Sequence, residues 1–217
     1  MNYNLILFDL DGTLLDSSLG VLRSFQHALA YFNQDVSRET LVAKIGPPAP
    51  EIFMQLFPDI FSAPNNLRKA MRLQRTYYST IGVKESERYA GIEEVLKTLH
   101  QAGKKICVAT SKPTIYAKKI LSHHGLDHYF EWISGSTLNL SRSKKIDVIT
   151  HVLKKYSRLP LTEIIMVGDT HHDINAAQAT KINSLGVTYG FGSKRDIHFS
   201  APTHCIDNIS ELLRILL

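Results

Sequence analysis

Asp9-Leu10-Asp11-Gly12-Thr13 directly follows the apolar run Leu5–Phe8. Carboxylates at i and i+2 of an extended segment project the same way. A strand would therefore deliver both acids to one spot at its carboxyl end, and Gly12 lets the chain turn sharply after them. Two such charges about 4 Å apart repel by roughly 4 kcal/mol at an effective dielectric near 20. Packing does not compensate that cost, whereas a cation, a shared proton or a reaction does, so a divalent metal is expected here. Three further segments carry polar groups at the ends of apolar runs or at a helix start. Thr110-Ser111-Lys112 follows Lys105–Ala109, Lys144-Lys145 opens a helical segment, and Gly168-Asp169-Thr170-His171-His172-Asp173 follows Ile164–Val167.

The runs Leu5–Phe8, Ile106–Ala109 and Ile164–Val167 lack period-two alternation, as strands buried on both faces of a parallel sheet do. Trp132–Ile133 and Leu185–Val187 read as two more strands. Amphipathic segments alternate with them from residue 91 onward: Gly91–Ala102, Thr114–His123, Lys144–Tyr156 with Ser143 as expected N-cap, and Asp173–Thr180. Ser210 is expected to cap a last helix through Leu216. This alternation predicts an α/β fold, a doubly wound parallel sheet of Rossmann type with its site at the strands' carboxyl ends. Between the acidic motif and Gly91 the pattern changes to helices at 17–33, 64–80 and, after Ser37, Val36–Ile45, with no convincing strand. An inserted all-helical cap over residues 16–84 is expected, with residues 1–15 and 85–217 forming the core. Gly46-Pro47-Pro48 and Pro50 read as a stiff loop between insertion helices.

With these motifs in this order, the chain resembles the haloacid dehalogenase superfamily of hydrolases. The resemblance is to the subgroup whose helical cap follows the first motif, and within it to phosphoglycolate-phosphatase-like members. It spans the whole chain. It implies a phosphatase that hydrolyses small phosphate monoesters such as phosphoglycolate, sugar phosphates or nucleoside monophosphates. Asp9 would be the nucleophile, forming an aspartyl-phosphate. Asp11 would be general acid, then general base. Mg²⁺ would be held by Asp9, Asp169 and Asp173, with Asp11 contributing its backbone carbonyl. Thr110 and a lysine would grip the phosphoryl group, with Ser111, Lys112 and Gly12 around it. Lys144 and Lys145 both remain open for that lysine. The segment Ile146-Asp147-Val148-Ile149 matches the one that follows the lysine in relatives, which favours Lys145. A sugar phosphomutase or a non-catalytic Mg²⁺-binding protein are the alternatives, and the absence of a concentrated basic patch in residues 17–84 tilts against the mutase.

The 217 residues carry 25 Lys and Arg against 20 Asp and Glu, a net charge of +5. The surplus is dispersed as pairs, Lys104-Lys105, Lys118-Lys119, Lys144-Lys145 and Lys154-Lys155, which suits solvated helix faces and steering of anions more than nucleic-acid binding. The expected partner is a small phosphorylated metabolite, with no nucleic acid and no membrane, and the chain a monomer or weak homodimer. Two cysteines, one inside the run Ile106–Ala109, indicate no disulfide framework. No basic segment followed by a long apolar stretch opens the chain, so a cytoplasmic location is expected. His171 and His172 read as exposed loop residues rather than zinc ligands, Asp16 as a turn or cap residue, and Tyr77-Tyr78 as packing.

Overall fold

The computed structural model describes residues 2–217. Among them lies a parallel sheet of β1 (Leu5–Phe8), β4 (Lys105–Pro113), β5 (Trp132–Ser136), β6 (Ile164–Gly168), β7 (Asn183–Val187) and β8 (His204–Ile206). Their spatial order is β5-β4-β1-β6-β7-β8. β1 is central, in parallel register with β4 and β6. Alternate residues of each strand enter different clusters. Ile6, Phe8, Ile106, Val108, Ile165 and Val167 face one core, while Leu5, Leu7, Cys107, Ala109, Ile164 and Met166 face the other. That division explains the unbroken apolar runs: both faces of the sheet are covered.

Helices α6 (Ile92–Gln101), α7 (Thr114–His123) and α11 (Leu212–Leu216) contribute to the first of these cores. Helices α8 (Lys145–Lys155) and α9 (His171–Ala179) contribute to the second. The doubly wound α/β architecture read from the pattern is the observed one.

Between β1 and β4 run α1 (Ser18–Ala30), α2 (Arg38–Val42), α3 (Ala49–Leu56), α4 (Pro58–Phe61) and α5 (Pro64–Thr80). They build a third cluster around Phe25, Phe53 and Phe61. Here the structure corrects several expectations. Pro50 does not belong to a loop: it sits in the first turn of α3, where a missing N–H costs nothing. The stretch expected to be strand-free holds β2 (Leu15–Asp16) and β3 (Glu87–Arg88), an antiparallel pair where the chain leaves and re-enters the core. Two residues per strand are too few for any periodic signal. Strand β8 and helix α10 (Lys194–Phe199) also went unread, the latter being only six residues long.

Three helix starts differ as well. Ser143 does not cap α8: Lys144 occupies the N-cap in an extended conformation with no side-chain cap bond. Helix α9 begins at His171, with Thr170 and Asp173 forming a capping box. Asn208 and Glu211, not Ser210, cap the final segment. Asp16 ends β2 just ahead of α1, whose N-cap is Ser17, and it accepts the Ser18 N–H at 2.9 Å. No helix among the described residues is long and apolar enough to cross a membrane.

Candidate active site

The central position of β1 places its last residues between β4 and β6, and the polar segments of four elements converge there. Asp9, one residue past β1, donates its N–H to the Val167 carbonyl at 2.9 Å, which holds the backbone in line with the sheet. Asp169 follows β6, and Asp173 lies in the first turn of α9. Lys145 opens α8, packed behind the sheet.

Carboxylate oxygens of Asp9, Asp169 and Asp173 lie within 4.8 Å of one another, and all three residues are buried. The Lys145 ammonium sits 2.8 Å from Asp9 Oδ1 and 2.8 Å from Asp173 Oδ1, and 3.2 Å from the Ala109 carbonyl. Beyond this ion pair neither oxygen has a hydrogen-bond partner. Three carboxylates against one ammonium leave a formal charge of −2 in a buried site. A divalent cation with a preference for oxygen ligands would cancel it and occupy the orphaned oxygens. The residues present therefore fit such an ion.

Burial raises the Asp9 carboxyl above the ordinary carboxylate range, with the Lys145 ammonium opposing and the Asp173 charge reinforcing the rise. Burial, then the charges of Asp173 and Asp9, lift Asp169 well above that range. Burial alone would lower Lys145, but Asp173 and Asp9 outweigh it and keep the amine protonated.

Local backbone holds each acid in place. Asp169 accepts from Thr13 Oγ1 at 3.1 Å and from the Phe191 N–H at 2.8 Å. Gly12 has φ +81°, and a Cβ there would lie 2.1 Å from Asp169 Oδ2, so only glycine permits this approach. Asp173 accepts from the Thr170 N–H at 3.1 Å and Oγ1 at 2.7 Å, so the residue that can bind metal also caps α9.

Asp11 does not join the three acids. Its carboxylate takes Lys112 Nζ at 2.9 Å and the Ser17 hydroxyl. The expected repulsion between Asp9 and Asp11 is thus relieved separately, each acid facing its own lysine. Lys112 is buried rather than solvated, and Tyr78 from α5 meets its ammonium at 2.7 Å. Burial works against the charge on Lys112, yet Asp11 and Tyr78 more than offset it and raise its pKa. Thr110 is buried at the end of the regular part of β4, its Oγ1 accepting the Lys112 N–H at 3.2 Å. Ser111 lines the same cleft as Asp9, Asp11 and Thr110.

Among the two lysines left open, Lys145 reaches the acids, while Lys144 is exposed and forms no ion pair with them. His171 and His172 are not loop residues but the first turn of α9, their rings 4.0 Å apart. Burial, followed by the charges of His171 and Lys145, pulls His172 down to about 4. Two functional candidates escaped the sequence: Tyr78, for which helical spacing signals only burial, and Thr13, whose hydroxyl orients Asp169. The insertion also holds a cationic face that the sequence reading missed, since Arg68, Arg72 and Arg75 line one groove.

The insertion lines much of the rest of the cleft with Val21, Phe25, Ile45–Pro50, Ile52, Met71, Gln74, Arg75 and Tyr78, and Pro113, Tyr116, Ser136, Leu140 and Thr170 complete it. A narrow polar floor lies under a largely apolar roof.

Residues 6–187 match the family profile described as "Haloacid dehalogenase-like hydrolase". The chain is 35% identical to a 5'-nucleotidase of Pseudomonas aeruginosa, over 100% of this chain and 96% of that protein. It is 32% identical to a phosphoglycolate phosphatase of Photobacterium profundum, over 97% of this chain and 94% of that one. The solved structure of the Mycobacterium tuberculosis protein tyrosine kinase A superposes with a TM-score of 0.81 at 33% identity, covering 98% of this chain and 97% of that one.

Proposed function

The chain belongs to the haloacid-dehalogenase-like hydrolases and is a phosphatase, and we propose that it hydrolyses small phosphate monoesters through an aspartyl-phosphate on Asp9, with Mg²⁺ as its metal. The carrying observation is the division of labour among the acids. Asp9 shares a buried, cation-hungry cluster with Asp169 and Asp173, while Asp11 stands apart on Lys112 at the cleft.

In this reading an Asp9 oxygen attacks phosphorus as the ester P–O bond breaks. The electron pair leaves with the ester oxygen, which takes the proton from a protonated Asp11. Ionised Asp11 then removes a proton from water, the resulting hydroxide attacks the phospho-aspartate, and inorganic phosphate leaves with Asp9 restored. Lys145 stabilises the charge between nucleophile and phosphoryl oxygens, and the Thr110 hydroxyl with the Ser111 backbone binds those oxygens. Lys112 and Ser17 hold the Asp11 carboxylate in place between the steps. The metal, when bound by Asp9, Asp169 and Asp173, supplies positive charge against the phosphoryl oxygens.

Residues 16–84 would act as a cap over a core of residues 1–15 and 85–217, their apolar wall excluding water once substrate is seated. The proposed partner is a small phosphorylated metabolite, in the cytoplasm, met by a monomer or weak homodimer without nucleic acid or membrane. The names of the relatives place phosphoglycolate and nucleoside 5'-monophosphates in the first substrate panel, beside sugar phosphates.

Phosphate release across that panel in Mg²⁺ tests the reading. Asp9→Asn should abolish release, and Asp11→Asn should cut it by about 10²–10⁴-fold while leaving Mg²⁺ binding nearly intact. Turnover surviving in Asp9→Asn, or undiminished in EDTA, sinks the mechanism. Isomerised sugar phosphate in place of free phosphate would indicate the mutase instead, and labelled tyrosine peptide from ATP would indicate kinase activity.

A further inference from the structure

Helix α5 carries a line of guanidinium groups that the reaction above does not use. Arg68, Arg72 and Arg75 stand at i, i+4 and i+7 and share one face. They line a groove whose other wall includes Leu138 and Leu140, and whose lining contains no Asp or Glu. Arg75 donates to the Leu138 carbonyl at 3.0 Å, and Arg68 to Asn65 Oδ1. Among the described residues none of the three has a carboxylate within ion-pair distance. Like charges at this spacing repel along a helix, and an anion between them would relieve that.

The groove is continuous with the catalytic cleft, since Pro50, Met71, Arg75, Tyr116 and Leu140 line both. Tyr78 of the same helix meets Lys112, which holds Asp11. Six residues separate Tyr78 from Arg72, which is ~9 Å along a helix axis. The helix therefore leads from the reacting acids, past an apolar wall, to unpaired guanidinium groups.

We propose that this groove takes a second anionic group on the substrate. The favoured substrates are then phosphate monoesters whose leaving group itself ends in a phosphate or carboxylate, and nucleoside 3',5'-bisphosphates are the class that fits. One phosphoryl group lies at Asp9, the sugar and base lie along the apolar wall, and the second phosphate meets Arg72 and Arg75. Guanidinium forks suit this, binding phosphate through paired N–H donors. The assignment rests on the phosphatase reading for the position of the transferred phosphoryl group.

Calorimetric binding to the Asp9→Asn protein in Mg²⁺ tests it without consuming ligand. A nucleoside 3',5'-bisphosphate is expected to bind at least about tenfold more tightly than the matching 5'-monophosphate, as one or more charge-assisted hydrogen bonds would supply. In Arg72→Ala/Arg75→Ala on that background the preference should fall toward unity, and Arg72→Lys/Arg75→Lys should restore part of it. Preference in the parent should also shrink in high salt, as contacts between exposed charges do. Equal binding of the two ligands, or a preference that survives the double substitution, overturns the proposal. An arginine-dependent preference in a protein whose wild type releases no phosphate would leave the groove standing and remove only the catalytic reading.

Discussion

At the scale of single residues, Lys145 decides the character of the site. It is the cation placed within the cluster of Asp9, Asp169 and Asp173, and removing one partner from a buried charged group typically costs about 3–5 kcal/mol. Lys145→Met should lower the unfolding free energy from urea titration in EDTA by that order, with Mg²⁺ recovering part of the loss. Lys144→Met, one position away, should stay within about 0.5 kcal/mol of wild type. Matching losses would show that geometry misassigns the buried lysine. The raised carboxyls of Asp9 and Asp169 give a second test. Their unfolded value is about 3.9, so above it the metal-free native state holds protons that the unfolded chain releases. Stability of the metal-free protein from these two groups is thus present at low pH and lost as pH rises through their elevated native values. A cation replaces those protons, so the Mg²⁺-induced rise in Tm should be larger at about pH 7.5 than at about pH 5. A shift independent of pH would contradict the buried-acid picture.

At the scale of elements, the site depends on close approach between loops rather than on strands alone. The turn after β1 brings Gly12 against Asp169 from the other side of the sheet's centre, with room for a hydrogen only. Gly12→Ala must both leave φ +81° and displace the Asp169 carboxylate. Its expected signature is weakened Mg²⁺ affinity, read by calorimetry, with far-UV circular dichroism retained. Unchanged metal affinity would mean that Asp169 is not a ligand. The first turn of α9 is similarly shared, because Asp173 serves the capping box and the acidic cluster together.

At the scale of the whole molecule, the insertion has its own apolar cluster and touches the reacting groups through few contacts. Tyr78 reaches Lys112, and the Gly46 turn lies against His172. Phe53 is fully buried in that cluster, among Phe25 and Phe61. Phe53→Ala should cost about 3–5 kcal/mol. If residues 16–84 form a separable unit, hydrogen exchange will rise in α3, α4 and α5 well before it rises in β1 and β4. Uniform loss of protection throughout would show one cooperative body.

The unbroken apolar strands and the order of the polar segments that carry Asp9, Asp11, Thr110, Asp169 and Asp173 were legible in the chain, because strand periodicity and loop position are local properties. Helix starts such as Thr170 and Asn208 were missed by a residue or two, since a capping box is fixed by which side chain closes on which N–H. Tyr78 beside Lys112 and the pairing of Asp11 with Lys112 belong to tertiary structure alone, which also sets Lys145, already favoured by the segment after it, against the acids. Each depends on which element crosses which: α8 behind the sheet turns Lys145 inward, and α5 over the cleft turns Tyr78 down. The arginine face of α5 lies between these cases. Its spacing was written in the sequence, but only the fold shows that the face opens onto the cleft instead of onto bulk water.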